Sequence, residues 1–233
     1  MIIDDLRKNA CPQKAKILQK FFKTGPGEYG EGDIFWGITV PLIRKVACDY
    51  KYLDGASLEK MLDDNVHEVR LCALLIMVLQ AKINPDAIYK MYTKKIDRVN
   101  NWDLVDLSAP TVVGNFLIDK DSSIFYRLAK SDNFWHRRIA IVSTYAFIKQ
   151  GSYEETLNIS EKLLHDKHDL IQKAVGWMLR EVGKRCSMDI LEEFLEKYCT
   201  IMPRTMLRYS IEHMSDQKRK IYMNAKRLHK SLH

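Results

Sequence analysis

The chain has 233 residues, 46% hydrophobic and 29% charged, with a formal net charge of +7, the balance of an ordinary globular chain able to bury a sizeable core. No apolar run nears the roughly 20 residues that cross a bilayer, and the N-terminus "MIIDDLRKNACPQ" lacks the basic-then-apolar order of a signal peptide, so a cytoplasmic protein is expected. The five cysteines (11, 48, 72, 186 and 199) are odd in number, scattered and free of CxxC spacing, which excludes a disulfide framework or zinc site in favour of reduced thiols.

In chain order, nearly every segment predicts helix. Leu, Lys, Glu, Ile and Ala dominate, and apolar residues recur at spacings of three and four, as in Ile17/Leu18/Phe21/Phe22 and Leu58/Met61/Leu62. The exception is "GPGEYG", Gly25 to Gly30, within a stretch to Gly37 that holds half of the ten glycines. It matches GxGxxG formally, but no strand precedes it and a proline sits inside it, so it predicts a loop between the first helices. Val40-Pro41 then suits a helix start.

From there the apolar helices recur. They are expected to begin near His67 ("HEVRLCALLIMVL"), Trp102 ("WDLVDLSAPTVVG"), Trp135 ("WHRRIAIVSTYAF"), Asp169 ("DLIQKAVGWMLRE") and Pro203 ("PRTMLRYSIEHM"), roughly 34 residues apart, with amphipathic helices between them. Capping-type residues precede each: Asn65, Asn101, Asn133, Asp166 and Thr200. A regular helix-pair period predicts an all-α fold, a single-domain α-solenoid of HEAT-like repeats over residues 1–233. The end of the chain, 215–233, carries Lys218, Arg219, Lys220, Lys226, Arg227 and Lys230 against Asp216, and so accounts for most of the net charge. It reads as a basic tail, either a solvated terminal helix or extra non-specific affinity for phosphate.

Four of the five inner helices put cations in their first two turns: Arg70, then Arg137 and Arg138, then Lys173, then Arg204 and Arg208. In a solenoid, helix starts lie along one edge of one face, and helix N-termini already favour phosphate. The row predicts a track for a nucleic-acid backbone on a concave DNA-binding face, against the plainer reading of unrelated surface cations. The helix at Trp102 departs from the rule with Asp103 and Asp106. Asp103 is explained as a first-turn acid meeting the helix dipole, an effect of about 0.3–1 kcal/mol. Asp106 lies one turn further, at i,i+4 from Trp102, and shares its face. It is either paired to Arg138 of the next repeat or placed for chemistry.

Other candidates carry less. His165 and His168 lack a third ligand and read as surface residues in a turn. Trp36 and Trp135 read as packing residues, and no cysteine has a partner at catalytic spacing.

The stretches "NNWDLVDLSAP", "FWHRRIAI", "IQKAVGWMLREVGKR" and "PRTMLRYSIE", with "GPGEYGEGDIFWGITVPLIRKV" nearer the start, together resemble the AlkD-type alkylpurine DNA glycosylases, a bacterial HEAT-like-repeat family of DNA alkylation repair, in order and over essentially the whole chain. The resemblance implies a catalytic cleft of one aspartate, two tryptophans and an arginine; by motif these are Asp106, Trp102, Trp177 and Arg138. Tyr29, in the loosely matching first segment, is implied as a DNA-binding residue. The resemblance further implies a monofunctional enzyme that hydrolyses the N-glycosidic bond of cationic N3- or N7-alkylated purines in duplex DNA, without base flipping and without a cofactor. A cytoplasmic monomer, nucleoid-associated if bacterial, is expected. Two alternatives remain open: a catalytically silent DNA-binding relative, and a HEAT-type protein scaffold.

Overall fold

The computed structural model describes residues 1–230, with side chains to residue 225. Among these residues the fold is all-α, and the only β feature is an isolated bridge between Ile34 and Val66. No described helix is long and apolar enough to cross a membrane, and all five cysteines are free thiols. The chain packs as two compact units, with the first covering Met1–Phe116 and the second running from Leu117 onward.

The first unit contains α1 (Ile2–Arg7), α2 (Pro12–Phe21), α3 (Val40–Asp49), α4 (Gly55–Leu62), α5 (His67–Gln80), α6 (Pro85–Lys94) and α7 (Trp102–Ala109). The one-turn α8 (Asn115–Leu117) follows. The second unit contains α9 (Ser123–Ala129), α10 (Phe134–Ser143), α11 (Tyr145–Ile148), α12 (Glu154–Lys162), α13 (Asp169–Arg185), α14 (Met188–Tyr198), α15 (Arg204–Ser210) and α16 (Asp216–Lys230). The basic tail is therefore helical as far as Lys230, while the side chains of Lys226, Arg227 and Lys230 lie outside the described residues.

The predicted inner helices are α5, α7, α10, α13 and α15, each beginning within one residue of its expected start. Their caps follow the prediction at two places. Asn101 Oδ1 accepts the N–H of Trp102, and Asn133 Oδ1 accepts that of Trp135. Elsewhere the cap shifts. His168 Nδ1 accepts the N–H of Leu170, while Asp166 accepts the N–H of His168, one step earlier. Asp64 rather than Asn65 accepts the N–H of Val66, and Pro203 rather than Thr200 precedes α15, where no side chain caps. Any short polar side chain held one or two residues before a free N–H can serve, so composition identifies the neighbourhood of a cap better than its residue.

α5 is the core of the first unit. Every residue from His67 to Met77 is buried, so this helix is enclosed all round, and its polar residues must find partners inside. His67, at its first position, lies between two carboxylates: Nδ1 is 3.0 Å from Asp33 Oδ2 and Nε2 is 2.8 Å from Asp103 Oδ2. Carboxylates only accept, so both ring nitrogens must donate and the ring is an imidazolium. Arg70, one turn on, donates to Asp33 Oδ1 at 2.6 Å, to Asn100 Oδ1 at 3.2 Å and to the Asp64 carbonyl at 2.9 Å. Two cations thus face two anions, and the cluster is electrically balanced. The carboxylate of Glu68 turns the other way, where it accepts the N–H groups of Trp36, Gly37 and Ile38 at 3.1, 2.7 and 3.1 Å. Gly37 suits that turn for two reasons: its φ is +81°, and a Cβ there would sit 2.1 Å from the Cys11 carbonyl oxygen.

Burial by itself would lower the pKa of His67, but Asp103 and Asp33 outweigh it and push the imidazole up to about 9 from an ordinary 6.5. Burial opposes ionisation of Asp33 as well, yet His67 and Arg70 hold its carboxyl below the usual range. The folded state therefore binds the His67 proton more tightly than the unfolded chain does. Its stabilisation is complete below pH 6.5 and is lost as pH rises through about 9. Urea unfolding should show a decline on the order of 3 kcal/mol across that window, on top of any other titrations. Asp33 contributes the opposite limb, present above its ordinary pKa of 3.8 and lost below it. Asp33→Asn, which leaves His67 and Arg70 buried without their shared anion, should lower stability by about 3–5 kcal/mol in the same assay.

Candidate active site

The geometry begins at α7. Asn101 is fully buried and caps Trp102 at 2.8 Å, while its amide nitrogen lies 3.5 Å from Asp33 Oδ2. Asp103, at the second position, accepts its neighbour Leu104's N–H at 2.8 Å. It is therefore the first-turn acid that the sequence predicts, and also the buried partner of His67, which the sequence did not reveal. Trp102 and Asp106 are both half-buried on one face. Pro110 has no N–H to continue the α-helical ladder; the chain passes into a π-turn, Pro110–Gly114, in which Asn115 N–H reaches the Pro110 carbonyl.

Trp102 is held by rings. Its indole stacks on Phe22 at 5.1 Å between centroids with 17° between planes, and meets the edge of Phe21 at 5.8 Å. Phe22 stacks on Phe35 at 5.0 Å, and Phe35 stacks on the His67 imidazolium at 4.5 Å. The series ends where the buried charge cluster begins. Tyr92 of α6 is fully buried, with its hydroxyl 3.0 Å from Ser108 Oγ; burial pushes its pKa up, and the negative charge of Asp106 adds to the effect.

Arg138 and Trp177 lie in the second unit, on α10 and α13, two helices that pack on one another. Arg138 is buried and donates to the Leu170 carbonyl at 2.6 Å. Trp177 is half-buried, 6.2 Å from the Tyr145 ring. The residue before it, Gly176, lets α13 approach α15 closely: a Cβ there would lie 2.5 Å from both the Met206 carbonyl oxygen and Tyr209 Cβ. Gly176→Ala should therefore cost about 1–3 kcal/mol in thermal unfolding and shift the Trp177 fluorescence with it.

The predicted row of cations divides by burial and pairing. Arg70 is not a phosphate ligand: it is 1% exposed and tied to Asp33, because an apolar helix enclosed on all sides leaves no route to solvent. Arg137 is half-buried, with Nε 2.6 Å from Asp166 and Nη1 on the carbonyls of Ser131 and Asp132. Lys173 pairs with Asp169 at 2.6 Å, one turn back on α13. Arg204 is exposed and donates to the Met223 carbonyl, and Arg208 is exposed. Tyr29 is half-buried, its hydroxyl 3.4 Å from the Phe21 carbonyl and its ring under Lys23. The loop around it is folded on itself: Gly25 and Gly27 donate to Glu28 and Glu31, and Gly30 to the Lys23 carbonyl.

Trp135 is buried against Phe134, as a packing residue should be. His168 stacks on Phe134 at 3.9 Å, and burial lowers its pKa. No group of three metal-type ligands occurs among the described residues. Sequence reasoning missed Asp33, His67 and Glu68. The available signal was three ionisable residues, His67, Glu68 and Arg70, at one end of an otherwise apolar helix.

Comparisons with known proteins agree with this organisation. The sequence matches the family described as DNA alkylation repair enzyme over residues 2–214. Among solved structures, the fold resembles a protein described as a predicted DNA alkylation repair enzyme from Enterococcus faecalis, with a TM-score of 0.70 at 16% identity, covering 89% of this chain and 98% of that one. No protein of curated function matches. With nearly its whole length matched, the chain belongs to the DNA alkylation repair enzyme family.

Proposed function

We propose that this family member is a monofunctional, AlkD-type DNA glycosylase that hydrolyses the N-glycosidic bond of cationic N3- or N7-alkylated purines, such as 3-methyladenine and 7-methylguanine, in duplex DNA. The observation that carries the reading is Asp106, a half-buried carboxylate one helical turn from Trp102, whose indole is fixed by Phe21 and Phe22. An alkylated purine already carries positive charge. When the bond between C1′ and the ring nitrogen breaks, the electron pair neutralises that charge, so no strong general acid is needed. Positive charge develops instead on the deoxyribose. A fixed carboxylate stabilises it and orients the water whose oxygen joins C1′, with its proton passing to solvent. The products are the free base and an abasic site.

Trp102 would offer a π face to the charged sugar or base, an attraction of about 0.5–2 kcal/mol, and Trp177 is proposed for the same role by its motif. Arg138 would hold a phosphate of the DNA backbone. Exposed Arg208 and Arg204, with Lys173, would supply backbone affinity. The reaction as written requires neither a cofactor nor extrusion of the base, which would admit bulky adducts, and the protein would act as a monomer.

Asp106→Asn should reduce release of 7-methylguanine from methylated duplex DNA by about a hundredfold or more while leaving DNA affinity within a few fold. Wild-type protein that binds DNA but releases no base would leave only a DNA-binding role. Arg208→Ala should weaken binding to all sequences alike and reduce the slope of log affinity against log salt by about 1. If the protein lacks DNA affinity even at low salt, the repeat fold serves a protein partner instead.

A further inference from the structure

We propose that His67, as a buried imidazolium, is the residue that positions Trp102 and, through the start of α7, Asp106. The inference rests on the glycosylase reading for its catalytic meaning, but the positioning itself is a property of the DNA-free protein. His67 reaches Trp102 by two independent routes. The first is through the backbone: Nε2 donates to Asp103, the residue that follows Trp102, while Nδ1 donates to Asp33, which lies 3.5 Å from the Asn101 cap preceding it. The second is through the rings: His67 stacks on Phe35, Phe35 on Phe22, and Phe22 on the indole. A cation over an aromatic face is attractive, so the charge that bridges the carboxylates also favours the first stack.

The groups facing His67 are few. Asp33 comes from the loop before α3, Asp103 and Asn101 from the start of α7, and Phe22 and Phe35 from the chain between α2 and α3. Arg70 and Glu68 stand beside it on α5, the former on Asp33 and the latter on backbone N–H groups. Lys14 of α2 lines a cavity of about 380 Å³ that His67, Glu68 and Asp103 also border. Loss of the proton removes one of the two donors. It leaves Asp103 or Asp33 facing a ring lone pair, and it weakens both routes together.

The test uses full-length protein carrying 5-fluorotryptophan, with the Trp102 resonance assigned by Trp102→Phe. His67 is followed in parallel by labelled imidazole NMR without DNA. The expected result is that the Trp102 resonance moves with the same midpoint as His67, near pH 9. His67→Gln, which supplies an amide in place of the cation, should displace the Trp102 resonance already at pH 7 in protein that remains helical by circular dichroism. Base release by His67→Gln should fall about tenfold or more in kcat, with little change in KM. A Trp102 resonance that stays fixed while His67 titrates would overturn the proposal, as would one that coincides with wild type in His67→Gln. If wild type releases no base, the glycosylase reading falls, and the fluorine measurement still decides whether His67 positions Trp102.

Discussion

A histidine sealed from water between two carboxylates has one consistent state. Both nitrogens must donate, so the ring is charged, and that charge must be balanced in place because burial leaves little solvent to relax around it. Asp33 and Asp103 balance it, and Arg70 balances the second anion. The residues involved lie about one repeat apart along the chain, in the loop before α3, at the start of α5 and at the start of α7. The cluster therefore determines how successive inner helix starts are set against one another in the first unit. An apolar contact tolerates small slides, whereas a hydrogen-bonded ion cluster in a dry interior does not. The ring stack from His67 to Trp102 and the cap on α7 both take their positions from this cluster.

The second unit meets the same requirement with different chemistry. Arg137 joins α10 to the segment before α13 through Asp166, and Arg138 reaches the Leu170 carbonyl. Glu181, buried on α13, is held below its ordinary pKa, since Arg185 and Arg180 outweigh the cost of burial. Charges near the starts of α5 and α10 thus join one repeat to the next. This changes the meaning of a row of basic residues in a repeat protein. Cations at equivalent positions can mark a ligand track, or they can mark the joints of the array, and here Arg70 belongs to the joints.

The same distinction sharpens the reading of the two acids on α7. They are three residues apart, yet their environments differ. Asp103 is buried, and its oxygens meet His67 and a backbone N–H. Asp106 is half-buried, one helical turn on from Trp102, and is the carboxylate on which the proposed chemistry rests. For a leaving group that is already cationic, a placed negative charge contributes more than a proton donor would. Membership of the DNA alkylation repair enzyme family gives that placement its context.

Much of this was readable in the sequence because it is local. The helical periodicity, the recurrence that begins α5, α7, α10, α13 and α15, the caps at Asn101 and Asn133, and the shared face of Trp102 and Asp106 all follow from residues within a few positions of one another. The burial of Arg70, the double role of Asp103 and the charge on His67 were not readable, because each depends on a partner about 34 residues or more away. The sequence alone determined an all-α repeat chain and the helix that presents Trp102 and Asp106. Only the tertiary structure decided which charged residues are sealed into its joints and which face outward, since burial and pairing across repeats, rather than residue type, set whether a charge is available to a ligand.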